Sequence, residues 1–322
     1  MYKQLTSEQR YAISVLLQTG TSRKLIAERL GVSVSTISRE LRRNSSKRGG
    51  YNPKLAHTMA LERRERISRN SCIDESLLKE SLCLLRSEQW SPKQISGYLA
   101  KQGKLISHER IYKAIREDTS GELARHTRHG MKYRHHTFVP RPTRATNIPG
   151  RISIHERPVE VDGKRFGDWE MDLIIGKDGK GAILVLVERS TNFLIMLRLE
   201  QGKKPEGVSK AVYKALLPYI KHVHTITTDN GSEFADHKTI AKKLKTTVYF
   251  ADSYCSWQKG RVEQINKLIR QYIPKGVSFD EYTDKNLMEI QKKINRRPRE
   301  KLNFSTPKDE FFRQINNFAL AS

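Results

Sequence analysis

G-D-W-E-M-D-L-I-I-G, residues 167–176, decides how the second half of this chain is read. Side chains of an extended strand alternate with period 2, so Asp168, Glu170 and Asp172 share one face. The spacing predicts a strand over Trp169–Gly176, followed after short turns by Gly181–Glu188 and Asn192–Leu199. Their β-branched content and short connections predict an antiparallel meander of three strands. Outward from it come a helix over Glu206–Ile220, a strand over Val223–Thr228, a helix over Asp236–Leu244 and a strand over Thr246–Phe250. Strands first, then helix and strand in alternation, predict one mixed sheet with helices packed on it, an α/β domain.

The segment Tyr254–Lys275 supplies the next helix. Val262, Ile265, Ile269 and Tyr272 recur on one helical face, and Glu263, Lys267 and Arg270 stack on an adjacent one. Pro274 ends it. A single glutamate on a helix is usually a solvated charge; the aspartates upstream change that reading. Asp229, in the turn Asp229-Asn230-Gly231, stands at the end of a strand, where open α/β sheets gather ligand-binding residues. Glu263 would be held over the same edge. Three carboxylates beside a basic surface suit Mg²⁺, with Mn²⁺ as substitute, because both prefer oxygen ligands. Two such ions can activate an attacking oxygen and stabilise a leaving one. Alternation alone leaves open whether Glu170 or Asp172 is the ligand from the first strand.

Charge names the partner. The 322 residues carry 60 Lys+Arg against 35 Asp+Glu, a net +25. Such an excess favours a polyanion, nucleic acid before membrane. No apolar run reaches the ~18 residues of a spanning helix, and the N-terminus lacks a signal-peptide plan. A cytoplasmic, nucleoid-associated protein is expected. Residues 1–150 hold +16 of the net charge and residues 151–322 hold +9. Cys72, Cys83 and Cys255 are widely spaced and read as buried reduced thiols, not as a disulfide or zinc framework.

The more basic half predicts two helix-turn-helix units. In the first, Thr6 with Gln9 forms a capping box and the helix runs to about Thr19. Ser22 caps a short helix through Leu30, Gly31 turns the chain, and Ser33 caps Val34–Arg43. Val34, Ile37 and Leu41 make the buried stripe. Ser35, Thr36, Ser38, Arg39, Arg42 and Arg43 remain for a major groove. In the second unit, Asp74 starts a leucine-rich helix and Ser91-Pro92 opens another. Ser107 caps a third, stapled by Ile106 and Ile111; Arg110, Tyr112, Lys113 and Arg116 are its candidates for DNA contact. Arg63, Arg64, Arg66 and Arg69 lie on a helix between the units. A basic tether rich in Pro and His follows; His126, His129, His135 and His136 lack the ligand spacing of a zinc site. The boundaries drawn are 1–50, 51–118, a linker 119–158, and a catalytic domain 159–322 with a helical tail.

Four stretches resemble the DDE transposases of bacterial insertion sequences, nearest the IS30 family. They are residues 167–176, T-T-D-N-G-S-E-F (227–234), W-Q-K-G-R-V-E-Q-I-N-K-L-I-R-Q-Y-I-P-K-G (257–276) and N-R-R-P-R-E-K-L-N-F-S-T-P (295–307), with 33 residues between Asp229 and Glu263. The resemblance implies an RNase H-like fold, with catalytic and metal-holding carboxylates at Asp172, Asp229 and Glu263, and so chooses Asp172 over Glu170. It implies a basic residue at Arg270 and DNA positioning by Asn230, Asn266 and Lys267. Val262 and Gln264 stand where asparagines often flank the glutamate, and Cys255-Ser256 where a Ser-Pro pair is common. The implied activity is cleavage and strand transfer at terminal inverted repeats, by at least a dimer that also engages target DNA. A non-catalytic helix-turn-helix regulator is the alternative from a different class, and an integrase or nuclease of the same fold the nearer one.

Overall fold

The computed structural model describes residues 4–46, 50–69, 74–128, 130–131, 148–161, 163–200, 202–253 and 255–321. The chain forms two units, 1–74 and 75–322. Cys72 and the histidines 129, 135 and 136 lie outside the described residues, as do the side chains of Arg66 and Arg69.

The first unit holds α1 (Ser7–Gln18), α2 (Arg23–Arg29), α3 (Val34–Asn44) and α4 (Pro53–Arg69). Its starts follow the hydroxyl caps: Thr6 with Gln9 closes a capping box, and Ser22 and Ser33 each accept a backbone N–H. Gly31 turns at φ +63°, a conformation free of strain only without a Cβ. Leu5, Ile13, Ile26, Ala27 and Ile37 make the core. Val34 corrects the sequence reading, for it is exposed. The inward face of α3 is Ile37, Glu40 and Asn44 instead, because a charge with a partner can be buried. Arg10 donates to Glu40 at 2.7 Å and the Tyr51 hydroxyl adds a bond at 3.1 Å. Arg63 donates to the Arg43 carbonyl and to Asn44, which ties α4 to the end of α3.

Burial alone would raise the Glu40 carboxyl, but the hydrogen bonds of Arg10, Asn44 and Tyr51 and the charge of Arg10 outweigh it and hold it below its ordinary value. Its stabilising contribution is therefore present above pH 4.5, the ordinary value, and lost as pH falls through the lowered folded value. Thermal melts at descending pH should show the first unit weakening below about pH 4.5, and Glu40→Gln should flatten that fall. An equally steep fall in the variant would assign it to other carboxylates.

The second unit begins with α5 (Glu75–Glu88), α6 (Pro92–Ala100), α7 (His108–Glu117) and α8 (Glu122–Arg125). Ser91 and Ser107 cap α6 and α7, and Ile106, Ile111 and Ile115 are buried. Cys83 is exposed and Cys255 half-buried, against the expectation of buried thiols; Cys83 lies on the face of α5 turned from Ser81 and Leu85.

The strands are β1 (Ile152–Ser153), β2 (Asp168–Ile175), β3 (Ala182–Glu188), β4 (Leu194–Leu199), β5 (Thr225–Thr228) and β6 (Thr247–Phe250). They form a sheet in the order β1-β6-β5-β2-β3-β4. The β2-β3-β4 meander is antiparallel, and β5, β6 and β1 join it in parallel. This is the mixed RNase H-like sheet expected. α9 (Pro205–Leu216), α10 (His237–Leu244) and α13 (Pro307–Ala321) cover one face, where Trp169, Met171, Val212, Ile240 and Phe311 pack. α11 (Gly260–Tyr272) and α12 (Asp284–Arg296) cover the other, over Ile174, Val185, Val262, Ile269 and Ile294. α12 also closes the open edge of β4, where the Asn295 amide exchanges hydrogen bonds with the Leu194 backbone at 2.9 and 2.8 Å. An unpaired edge would otherwise invite another strand.

The 295–307 motif fastens the second helical group to this sheet. Asn303 and Phe304 both take positive φ, +49° and +58°, which presents the Phe304 ring to Gly97 of α6 with no room for a Cβ. Lys101 donates to Ser305 at 2.8 Å and Lys93 pairs with Glu300 at 2.8 Å. Gly97→Ala should cost ~1–3 kcal/mol by overpacking, and that cost should vanish in a Phe304→Ala background. A double-mutant cycle on denaturant midpoints measures it; an additive pair would show that the ring is not the obstacle.

Candidate active site

The period-2 face of β2 carries three acids with three different fates. Asp168 is wholly buried and locks strands: Arg165 donates to both its oxygens at 2.7 and 3.0 Å, and Thr225 of β5 adds a bond at 2.7 Å. Glu170, 1% exposed, pairs with Arg189 at 3.1 Å. Its second oxygen accepts the backbone N–H groups of Arg261 and Val262, both at 2.8 Å. Those are orphan donors in the first turn of α11, where the helix dipole also favours an anion. Glu170 thus seats the helix that carries Glu263. Burial pushes its pKa up, and the two N–H groups and Arg189 only partly offset that.

Asp172, the third, faces the site. β2 and β5 run parallel with Asp168 beside Thr225 and Glu170 beside Thr227. Two residues further the same register sets Asp172 next to Asp229. Both carboxylates converge on Lys259, whose Nζ lies 3.3 Å from Asp172 Oδ1 and 2.8 Å from Asp229 Oδ2. Lys259 ends the 3₁₀ turn before α11 and is only 5% exposed. Burial opposes its charge, but the two aspartates win and raise its pKa. Burial and the charge of Asp229 raise the pKa of Asp172.

Glu263 lies one helical turn beyond Lys259 and is half-buried. Its carboxylate stands apart from the aspartate pair: among the described residues no three His, Cys, Asp or Glu side chains gather closely enough to hold a metal ion. Asn266, on the same face of α11, donates to Asp172 Oδ2 at 2.7 Å, and its own Oδ1 is buried without a partner. Two aspartates sharing one cation and an orphaned amide oxygen offer oxygen donors only, with the Glu263 carboxylate one helical turn away but apart from them. That chemistry fits Mg²⁺ or Mn²⁺.

The other expected site residues are placed as follows. Lys267 is exposed beyond Glu263. Arg270 is directed along the helix, donating to the Pro274 carbonyl at 3.2 Å and the Ile273 carbonyl at 3.5 Å. It satisfies the end of α11, which proline cannot continue, rather than reaching the carboxylates. Asn230 bridges Ala251 and Arg151, both at 2.6 Å. On α3, Ser35, Arg39, Arg42 and Arg43 are exposed and Thr36 and Ser38 half-buried. With Arg23 and Ser45, four of these line an open groove of about 540 Å³. Ser35 accepts from Arg39 at 3.0 Å and so orders the guanidinium in advance. On α7, Lys113 and Arg116 are exposed and Arg110 and Tyr112 half-buried. There Glu117 pairs with Arg110 and Lys113, and Glu109 with Arg116, so the second helix presents a more neutral face than the first.

Sequence reasoning overlooked Lys259 and the role of Glu170. Lys259 sits four residues before Glu263, the i, i+4 spacing that had linked Glu263 to Lys267.

Over 100% of its length this chain is 42% identical to the transposase for insertion sequence element IS4351 of Bacteroides fragilis, covering 99% of that protein. The chain belongs to the insertion-sequence transposases. It is 35% identical to the transposase InsI of element IS30C of Escherichia coli, over 95% of this chain and 82% of that one, and falls in the IS30 family. Residues 1–44 match a helix-turn-helix domain family. Among solved structures, the catalytic core domain of BIV integrase resembles 48% of this chain and 98% of its own, at 18% identity and a TM-score of 0.38; the strand order carries the fold independently of that likeness. The transposase is a DNA-cutting and strand-transferring enzyme of the DDE type. None of its described helices is long and apolar enough to cross a membrane.

Glu170→Ala would leave Arg189 with only the Val161 carbonyl and no counter-charge, and the first turn of α11 without its acceptor, in the interior. Breaking a buried pair from one side costs ~3–5 kcal/mol, and chemical denaturation of the full chain should register a loss of that order. A loss under ~1 kcal/mol, the value of an exposed pair, would show that Glu170 is not what seats the helix.

Proposed function

We propose that this transposase binds the terminal inverted repeats of its own element through α3 and α7, and that Asp172, Asp229 and Glu263 form its metal-holding catalytic set. The observation that carries the reading is the convergence of Asp172 and Asp229 on one buried cation at the head of the helix bearing Glu263. Enzymes of this family generally work with divalent metal ions, and the oxygen donors suit Mg²⁺, or Mn²⁺ in its place, with two ions as the reading favoured. Bound metal would activate the attacking oxygen and stabilise the leaving one.

The chain's own groups prepare that chemistry. Asp172 and Asp229 are held side by side by strand register, and Asn266 fixes one oxygen of Asp172. Lys259 keeps a positive charge between them. In the first step water attacks a phosphodiester at the element end, a P–O bond breaks, and a free 3′-hydroxyl and a 5′-phosphate result. In the second, that hydroxyl attacks a target phosphodiester; a new P–O bond forms as the bond to the target's 3′-oxygen breaks, the hydroxyl gives up its proton and the departing 3′-oxygen takes one up. No covalent bond to the protein is needed. Lys267, exposed one turn past Glu263, is the residue we assign to DNA positioning beside the set. Pairing of two ends calls for at least two copies of the chain.

A regulator that only binds DNA is not favoured: similarity to transposases spans the whole chain, and such a role leaves the paired aspartates unexplained. Asp229→Asn should leave duplex binding within about twofold and abolish metal-dependent cleavage and joining, losing at least the ~10²-fold typical of a key electrostatic group. Cleavage and strand transfer on labelled element-end DNA, with Mg²⁺ and with Mn²⁺, provide the check. Undiminished cleavage would overturn the assignment, and cleavage without joining by the wild type would favour a nuclease.

A further inference from the structure

The motif N-R-R-P-R-E-K-L-N-F-S-T-P (295–307) is only partly explained by its clasp on α6 and its cover over β4. The Arg299 backbone closes the turn that carries Phe304, but the side chains of Arg297 and Arg299 do neither. Arg297 is 2% exposed. Its guanidinium donates to Gln271 at 3.2 Å and to the Tyr272 hydroxyl at 2.9 Å, both neutral, and its Nε is buried without a partner. Arg299 donates from its side chain to the Ile294 carbonyl at 3.1 Å, and its Nε is likewise buried and unpartnered. Arg128, exposed at the end of the second helical group, acts on both by charge repulsion. Burial, then the charges of Arg297 and Arg128, lower the Arg299 pKa to about 9.

Among the described residues neither Arg297 nor Arg299 has an ion pair with a carboxylate. Glu88 is the acid whose charge reaches Arg297, and it pairs with the neighbouring Arg296 at 3.4 Å, leaving its Oε2 buried and unpartnered. Residues 129–147 contain no Asp or Glu, so the basic tether brings no counter-charge of its own. Guanidinium groups held inside a protein without an anion are costly. Their planar donors match phosphate oxygens in pairs, which lysine cannot do.

We infer that Arg297 and Arg299, with Arg128 at the rim, form a phosphate site at the seam between the second helical group and the catalytic sheet, and that its ligand is a backbone phosphate of bound DNA. The inference rests on the DNA-binding reading, but not on the assignment of the carboxylates. DNA seated there bridges the helical group to the sheet, and the clasp of Phe304 on Gly97 holds the two halves of the site in register.

The test is the salt dependence of binding to a mixed-sequence DNA duplex, followed by fluorescence anisotropy with the full chain. Each phosphate contact contributes ~0.9 to the slope of log K against log salt concentration. Arg299→Gln should lower the slope by about that much and weaken binding to all sequences alike, whereas Arg299→Lys should keep the wild-type slope. A folded Arg299→Gln protein with an unchanged slope overturns the inference. If Arg299→Gln fails to fold, the exposed Arg128→Gln decides: a slope reduced by ~0.9 supports the site, and an unchanged slope removes it. Asp229→Asn serves as control, because it should lose cleavage while keeping the wild-type slope.

Discussion

The carboxylate of Glu170, buried beneath the first turn of α11, is the interaction on which the rest of the site depends. A helix has no fixed rotation on a sheet unless something pins it, and apolar packing alone tolerates sliding. Here two backbone N–H groups close on one oxygen while Arg189 holds the other. That fixes both the height and the rotation of α11. A slip of one residue would turn the helix by ~100° and carry Glu263 and Asn266 off the face they share. Lys259, which immediately precedes the pinned turn, inherits its position between the aspartates from the same contact.

The sheet supplies the other half of the constraint. Parallel pairing of β2 with β5 sets Asp172 beside Asp229, and Asp168 tightens that pairing through Thr225 and Arg165. One strand therefore performs three tasks at successive outward positions: it locks to its neighbour, anchors a helix and offers a carboxylate. Its opposite face, Trp169 and Met171, is buried under α9, α10 and α13. A strand committed on both faces cannot shift register without breaking one of them.

What could be read from the sequence is what is local. Strand alternation over residues 168–175, the hydroxyl caps at Thr6, Ser22, Ser33, Ser91 and Ser107, and the helix ended by Pro274 each depend on neighbours within a few residues. All reappear in the structure within a residue or two. What could not be read is what depends on distant partners. Glu170 and Asp172 look alike along the chain; they are distinguished by Arg189, Arg261 and Lys259, the last two about ninety positions away. Arg270 occupies the right helical face yet turns to the carbonyls at the helix end. Val34 fits the apolar stripe of α3 but is exposed, while Glu40 is buried, met there by Arg10 and Tyr51. Resemblance, not periodicity, chooses Asp172 over Glu170 as the carboxylate of the first strand; the strand register shows that it lies beside Asp229.

Lys259 also bears on how an acidic centre can work within a basic protein. On the proposed assignment a DNA phosphate approaches Asp172 and Asp229, and unscreened carboxylates would repel it. The net charge of +25 attracts the duplex at long range, but that field is screened over ~10 Å at moderate salt. Close to the site the balance is set by near neighbours. Lys259 places one positive charge against the two aspartates at 2.8 and 3.3 Å, so the pair carries a net charge of about −1 by simple count, not −2. The burial of Lys259 and the partial burial of Asp172 make that neutralisation more effective, because water competes less with that ion pair. The residue sits on the element that carries Glu263, and the same pinned turn that orients the glutamate therefore also sets the charge that an approaching phosphate meets.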